Sequence, residues 1–168
     1  VHQVPMVISI WDDNYGISVE NKDQTIKQSI SEALLGFKRT EEKTGFEILI
    51  VNGWDYPALI NTYQKANDTA RDHHIPVIIH VKELTQPLGH SSSGSHERYK
   101  SNKRLEWEKE NDCNLKMRNW IIENDISNES SLFEIEEKSK EEVKIAKAEA
   151  WKTYLDPILQ ERLKLTVY

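Results

Sequence analysis

Phe46-Glu47-Ile48-Leu49-Ile50-Val51 and Pro76-Val77-Ile78-Ile79-His80-Val81 are short, nearly continuous apolar runs on either side of a helical stretch. Each has the composition of a strand buried on both faces. Between them, from about Asp55 to Arg71, Leu59, Tyr63, Ala66 and Ala70 recur at helical spacing. Asp55 stands where a capping carboxylate is favoured. Strand, helix and strand at this interval predict a right-handed parallel crossover. A third run, Val4–Ile10, reads as another buried strand. A parallel strand so close to the start needs further βα units to cover it, so the chain is expected to be a piece of something larger. The fold class is α/β, a parallel sheet with helices on both faces.

The remaining segments are less regular. Ile26, Ile30, Ala33, Leu34 and Phe37 predict an amphipathic helix ending near Gly36, followed by an exposed loop over Lys38–Thr44. Gln86–Ser95 has neither helical nor strand periodicity and reads as a functional loop, expected to be mobile without a ligand. Beyond Ser101 the sequence becomes helical and highly charged, with Leu105, Trp107, Met117, Trp120 and Ile121 as its apolar contacts. Ser131 and Glu134 have capping-box spacing. Glu136–Ala150 reads as a solvated helix with a narrow stripe at Val143, Ala146 and Ala150. The expected division is 1–124, a sheet-containing domain, and 125–168, a charged helical extension.

Composition excludes several classes. The net charge of −6 over 168 residues, with scattered basic side chains, argues against a grip on nucleic acid. No apolar stretch approaches the roughly 20 residues that span a bilayer, and no signal peptide is visible. The lone Cys113 excludes an internal disulfide framework and fits a reducing cytoplasm. Its neighbours Asp112 and Asn114 do not favour a thiolate.

Two runs follow directly on strands, Trp11-Asp12-Asp13-Asn14-Tyr15-Gly16-Ile17-Ser18 and Leu88-Gly89-His90-Ser91-Ser92-Ser93-Gly94. In open parallel sheets, ligands bind outside the carboxyl ends of strands. Asp12, Asp13 and Asn14 have the chemistry of an Asx turn, or of a metal site in which Asp13 gives a carboxylate oxygen and Tyr15 a carbonyl. His90 is a surface loop residue, or an imidazole that donates to phosphate or to a developing charge. Taken together, the two runs suggest a magnesium-bound diphosphate cofactor. His73 and His74 are assigned to a helix end, where the dipole favours them, and His80 to a hydrogen-bonded core position. His96 has no zinc-site spacing around it.

Four motifs resemble a known family. Asp12-Asp13-Asn14-Tyr15-Gly16-Ile17-Ser18 is similar to the closing half of the thiamine-diphosphate motif in α-type regions of 2-oxo acid dehydrogenases. Val51-Asn52-Gly53-Trp54-Asp55 resembles their Val-Asp-Gly-X-Asp. Gly89-His90-Ser91-Ser92-Ser93 resembles their Gly-His-Ser-X-Ser, and Tyr99-Lys100-Ser101 their Tyr-Arg-Ser. The run from Gly94 to Lys100 looks closest to bacterial proteins with fused α- and β-type regions. The resemblance covers about Val4 to Ile126. Asp13 stands where asparagine is commoner, Trp11 where some relatives have arginine, and Gly94 where aspartate is usual.

The resemblance implies a partial thiamine-diphosphate-binding fold and part of the component that decarboxylates a 2-oxo acid substrate and passes the acyl group to a lipoyl domain. It implies thiamine diphosphate and magnesium as cofactors. Asp13 and Tyr15 match the metal ligands, and His90 the active-site histidine. Asp13, Tyr15, Ile17, His90 and Ser91 match cofactor-binding positions, Ser91 being the serine phosphorylated in mitochondrial relatives. Tyr99 and Lys100 match loop residues that order on cofactor binding. The Gly-Asp-Gly half of the motif would lie upstream of Val1 and the activating glutamate on a β-type partner, so the chain alone is expected to be inactive. Its exposed strand edge is expected to favour self-association. The alternatives are a transketolase-like thiamine enzyme and a non-catalytic assembly module.

Overall fold

Val77, Ile79 and Val81 alternate with Ile78 and His80 along the central strand, and all five are buried. Such a strand must be covered on both faces. In the computed structural model, which describes residues 3–165, the elements in chain order begin with β1 (Val7–Trp11), β2 (Tyr15–Gly16) and β3 (Val19–Glu20). Next come α1 (Asn21–Gln24), α2 (Ile30–Ala33), β4 (Glu47–Asn52), α3 (Tyr56–His73) and β5 (Val77–Lys82). The chain continues through α4 (Asn102–Glu110), α5 (Cys113–Glu123) and α6 (Glu129–Leu165). The main sheet has the order β1-β5-β4 with both pairings parallel, and β2 and β3 form a small antiparallel pair. Val77 pairs with both Val7 and Glu47, so the strands are level and their carboxyl ends form one edge.

The sequence reading of β4, α3 and β5 is met within two residues at each boundary. Asp55 caps α3, its carboxylate accepting from the Ala58 amide at 3.0 Å. Ala66 and Ala70 are buried against Val51, Val77, Ile79 and Val81, with Leu59 and Tyr63 packed at the margin. Small side chains at these two positions let the helix backbone approach the sheet closely.

Three expectations are corrected. The first strand is not buried: it lies at the sheet edge, and Val7, Ile8 and Trp11 are exposed. Its outer edge has no strand partner among the described residues. Residues 20–37 do not form one amphipathic helix. Lys27 and Gln28 adopt left-handed backbone conformations and break the path into short turns, after which Ser29 caps α2. Ile26 and Phe37 are left exposed. The third correction is at α6, whose cap is Asn128, with its side-chain oxygen accepting from the Ser131 amide at 2.9 Å. Ser131 is already inside the helix.

The described residues fall into two compact units that meet between Trp120 and Ile121. The second consists chiefly of α6, an exposed and highly charged helix. No described helix is long and apolar enough to cross a membrane.

Burial along the strands sets an expectation for stability. Ile79→Ala, at a fully buried site, should cost about 2–5 kcal/mol in urea unfolding. Ile50→Ala, where 57% of the residue is exposed, should cost less than about 1 kcal/mol by the smaller area it removes from water.

Candidate functional site

The level strand ends bring residues 12, 53 and 83–84 to one edge. The Asp12 amide continues the ladder to Val81 O, the Gly53 amide reaches Lys82 O, and the Leu84 amide reaches Asp12 O. The first motif run leaves the sheet here and turns sharply. Asp12 Oδ1 accepts from the Asn14 amide at 2.8 Å and Asp13 Oδ1 from the Tyr15 amide at 3.1 Å, which is Asx-turn geometry. Asn14 and Ile17 have positive φ. For a β-branched residue such as Ile17 that is a strained conformation, of the kind that clusters at ligand clamps.

The turn is held from beneath by His80. Its ring is fully buried, with Nε2 2.9 Å from Asp12 Oδ2 and Nδ1 2.9 Å from Ser31 Oγ. A carboxylate only accepts, so Nε2 carries the proton. In the neutral ring Nδ1 then accepts from Ser31, whose oxygen lies 3.1 Å from Ser29 Oγ. Asn21 Nδ2 also donates to Asp12. The His80 hydrogen bond, together with the Asn14 amide, holds the Asp12 carboxyl below its ordinary value of 3.8 against the opposing effect of burial. The core assignment of His80 is therefore correct, and its two partners were missed.

The second run joins the first through Tyr99. The Tyr15 and Tyr99 rings meet edge to face at 5.6 Å, and the Tyr99 hydroxyl is 3.3 Å from Ser93 Oγ. Gly89 has φ +69°, and a Cβ there would lie 2.6 Å from that hydroxyl, so glycine is required by both backbone and space. The loop is internally tied: the Ser93 hydroxyl and amide donate to His90 O at 2.8 and 3.1 Å. His90 is half-buried and Ser91 exposed. The structure therefore brings the Tyr15 turn and the His90 loop together, and leaves Ile17 exposed.

A buried charge cluster, not foreseen from sequence, fixes the base of the loop. Lys100 Nζ is 2.8 Å from Glu108 Oε2, with side chains 1% and 3% exposed. Lys100 also donates to Gln86 O, and its ammonium lies 5.2 Å from the Tyr15 ring centroid. Arg104 bonds Glu108 and Glu83 and reaches Asp13 O at 3.5 Å. The available signal was the spacing of Arg104 and Glu108, four residues apart on a helix.

A cleft of about 320 Å³ opens beside the turn, lined in part by Tyr15, Glu20, Asn21, Glu83 and Arg104. Among the described residues no group of three or more His, Cys, Asp or Glu side chains converges on a metal position. Asp13 Oδ2 has no hydrogen-bond partner among them. A carboxylate oxygen is a hard donor of the kind that suits a magnesium ion completed by phosphate and water.

Residues 1–157 match the family described as the dehydrogenase E1 component. The chain belongs to that family. It is 27% identical to the pyruvate dehydrogenase E1 component subunit alpha of Rickettsia bellii over 148 residues, covering 87% of this chain and 45% of that protein. The corresponding subunits of Rickettsia felis and Rickettsia prowazekii are 26% and 25% identical over the same shares. The chain thus spans about half the length of the curated relatives it matches. The resemblance to thiamine-diphosphate-dependent 2-oxo acid dehydrogenases is borne out as an E1 family membership.

Two outcomes follow from the site's electrostatics. The depressed Asp12 value means that its stabilising contribution is full above pH 3.8 and is lost as pH falls through the lower folded value. Urea midpoints of the wild type should drop over that acid window, and Asp12→Asn should flatten the drop. Removing one partner of a buried ion pair costs about 3–5 kcal/mol. Glu108→Gln should reach that range, since it strands Lys100. Lys100→Met should cost less, because Arg104 still pairs with Glu108; the same unfolding measurement separates the two.

Proposed function

We propose that the chain is part of the decarboxylating component of a 2-oxo acid dehydrogenase complex, using thiamine diphosphate and magnesium. The observation that carries this reading is the E1 family match over residues 1–157. The junction of the Tyr15 turn with the His90 loop supports placing the cofactor's diphosphate end at this edge. Residues 1–124 are read as the C-terminal part of the α-type cofactor-binding domain, and 125–168 as its helical extension.

In this reading Asp13 supplies a carboxylate oxygen and Tyr15 its carbonyl to magnesium, while Ile17 and Ser91 border the cofactor. His90 donates from its ring to phosphate or to charge that develops on the substrate. Arg104, held by Glu83 and Glu108, fixes the Asp13 carbonyl and so the aim of the turn. When bound, the cofactor supplies the electron sink for decarboxylation, and the protein supplies metal, orientation and electrostatics. The substrate is a 2-oxo acid, and the partners are a β-type region, a lipoyl domain of the acyltransferase and further copies in a cytoplasmic oligomer.

The isolated chain should bind magnesium thiamine diphosphate weakly and turn over no 2-oxo acid. Two protein oxygens leave the metal short of an acidic ligand, and half of the cofactor's contact surface would come from the β-type region. Calorimetric titration of this chain, and of a longer form with the upstream segment and β-type region, tests the reading. Binding by the longer form alone is expected. Tight binding or decarboxylation by the short chain means that the site is misplaced, and no binding by the long form removes the cofactor assignment.

A further inference from the structure

Ser92 occupies the unspecified position of Gly-His-Ser-X-Ser, so the resemblance gives it no role. Its amide nitrogen lies 3.2 Å from His90 Nδ1 and its hydroxyl 2.9 Å from the same nitrogen. An amide N–H can only donate, so Nδ1 presents its lone pair to Ser92. The neutral ring must then hold its proton on Nε2. The hydroxyl, facing the same lone pair, also donates. Two donors from one residue therefore select one tautomer.

We propose that Ser92 is a positioning residue that fixes His90 in the Nε2–H tautomer and so aims a proton donor out of the loop. The neighbouring serines divide the work. Ser93 pins the main chain by donating twice to His90 O, and Ser92 pins the ring. Ser91 is exposed and leaves the ring free. Among the described residues Nε2 has no hydrogen-bond partner, so the proton it carries is available to an incoming oxygen. A phosphate oxygen or an oxyanion accepts from such a group, whereas the opposite tautomer would present a lone pair and repel it. That use of the proton rests on the proposed function, and the tautomer itself does not.

The test is long-range proton–nitrogen NMR on the whole chain labelled with ¹⁵N-histidine, above the imidazole titration range. His90→Gln assigns the signals. Wild type should show His90 Nδ1 unprotonated and Nε2 protonated. In Ser92→Ala the tautomer ratio should relax about fivefold toward a mixture, the weight of one neutral hydrogen bond. Ser92→Thr, which keeps the hydroxyl, should restore the wild-type pattern. Averaged nitrogens in the wild type, or a Ser92→Ala pattern equal to it, would overturn the proposal. Ser92 is exposed, so the alanine variant leaves the core intact. Turnover by the complete enzyme separates the two readings. A relaxed tautomer upholds the role of Ser92 whether or not kcat changes. An unaltered tautomer with normal cofactor-dependent turnover overturns this inference alone.

Discussion

The carboxyl edge of the sheet is organised by one buried imidazole. His80 sits in the middle strand with no contact with water, where an unsatisfied ring nitrogen would cost about 1–3 kcal/mol. Both nitrogens are satisfied, one by Asp12 from the end of β1 and the other by Ser31 from α2. The first ties down the turn that bears Asp13 and Tyr15. The second draws the 29–31 segment onto the face of the sheet opposite α3. The turn at the end of β1 and the cover of that face thus share a single anchor.

A second constraint works from the loop side. The buried pair of Lys100 and Glu108, extended through Arg104 to Glu83 and the Asp13 carbonyl, joins the start of α4 to the end of β5 and to the turn. Removing two charges from water is costly and is offset only when the geometry is good. The cluster ties three separate segments of the site to one another. The Tyr15–Tyr99 contact lies above it. The His90 loop, which has few apolar side chains to pack, is positioned by these polar and aromatic ties instead.

The parts of the fold that follow from apolar periodicity were legible in the sequence. β4, α3 and β5 were, because continuous β-branched runs and an Asp-capped amphipathic helix have few alternative arrangements. Trp11 to Ser18 and Gly89 to Ser93 could be placed at the strand ends for the same reason. Residues 20–37 could not, since their apolar spacing mimics a helix while Ser29 and Ser31 answer to His80, 49 residues away from Ser31 in sequence. The exposure of β1 was equally hidden, because an apolar run reads the same whether it lies at the centre of a sheet or at its edge. Glu108 is one of many charges in the helical stretch beyond Ser101, and only the packing of Lys100 against it reveals the pair.

The central claim is that Asp13 and Tyr15 hold a divalent cation at the mouth of the His90 loop. The most direct measurement is anomalous diffraction from crystals of the complete enzyme grown with thiamine diphosphate and manganese in place of magnesium. The account expects one strong manganese peak within bonding distance of an Asp13 carboxylate oxygen and the Tyr15 carbonyl. A peak at another site, with Asp13 turned away from the metal, would contradict it.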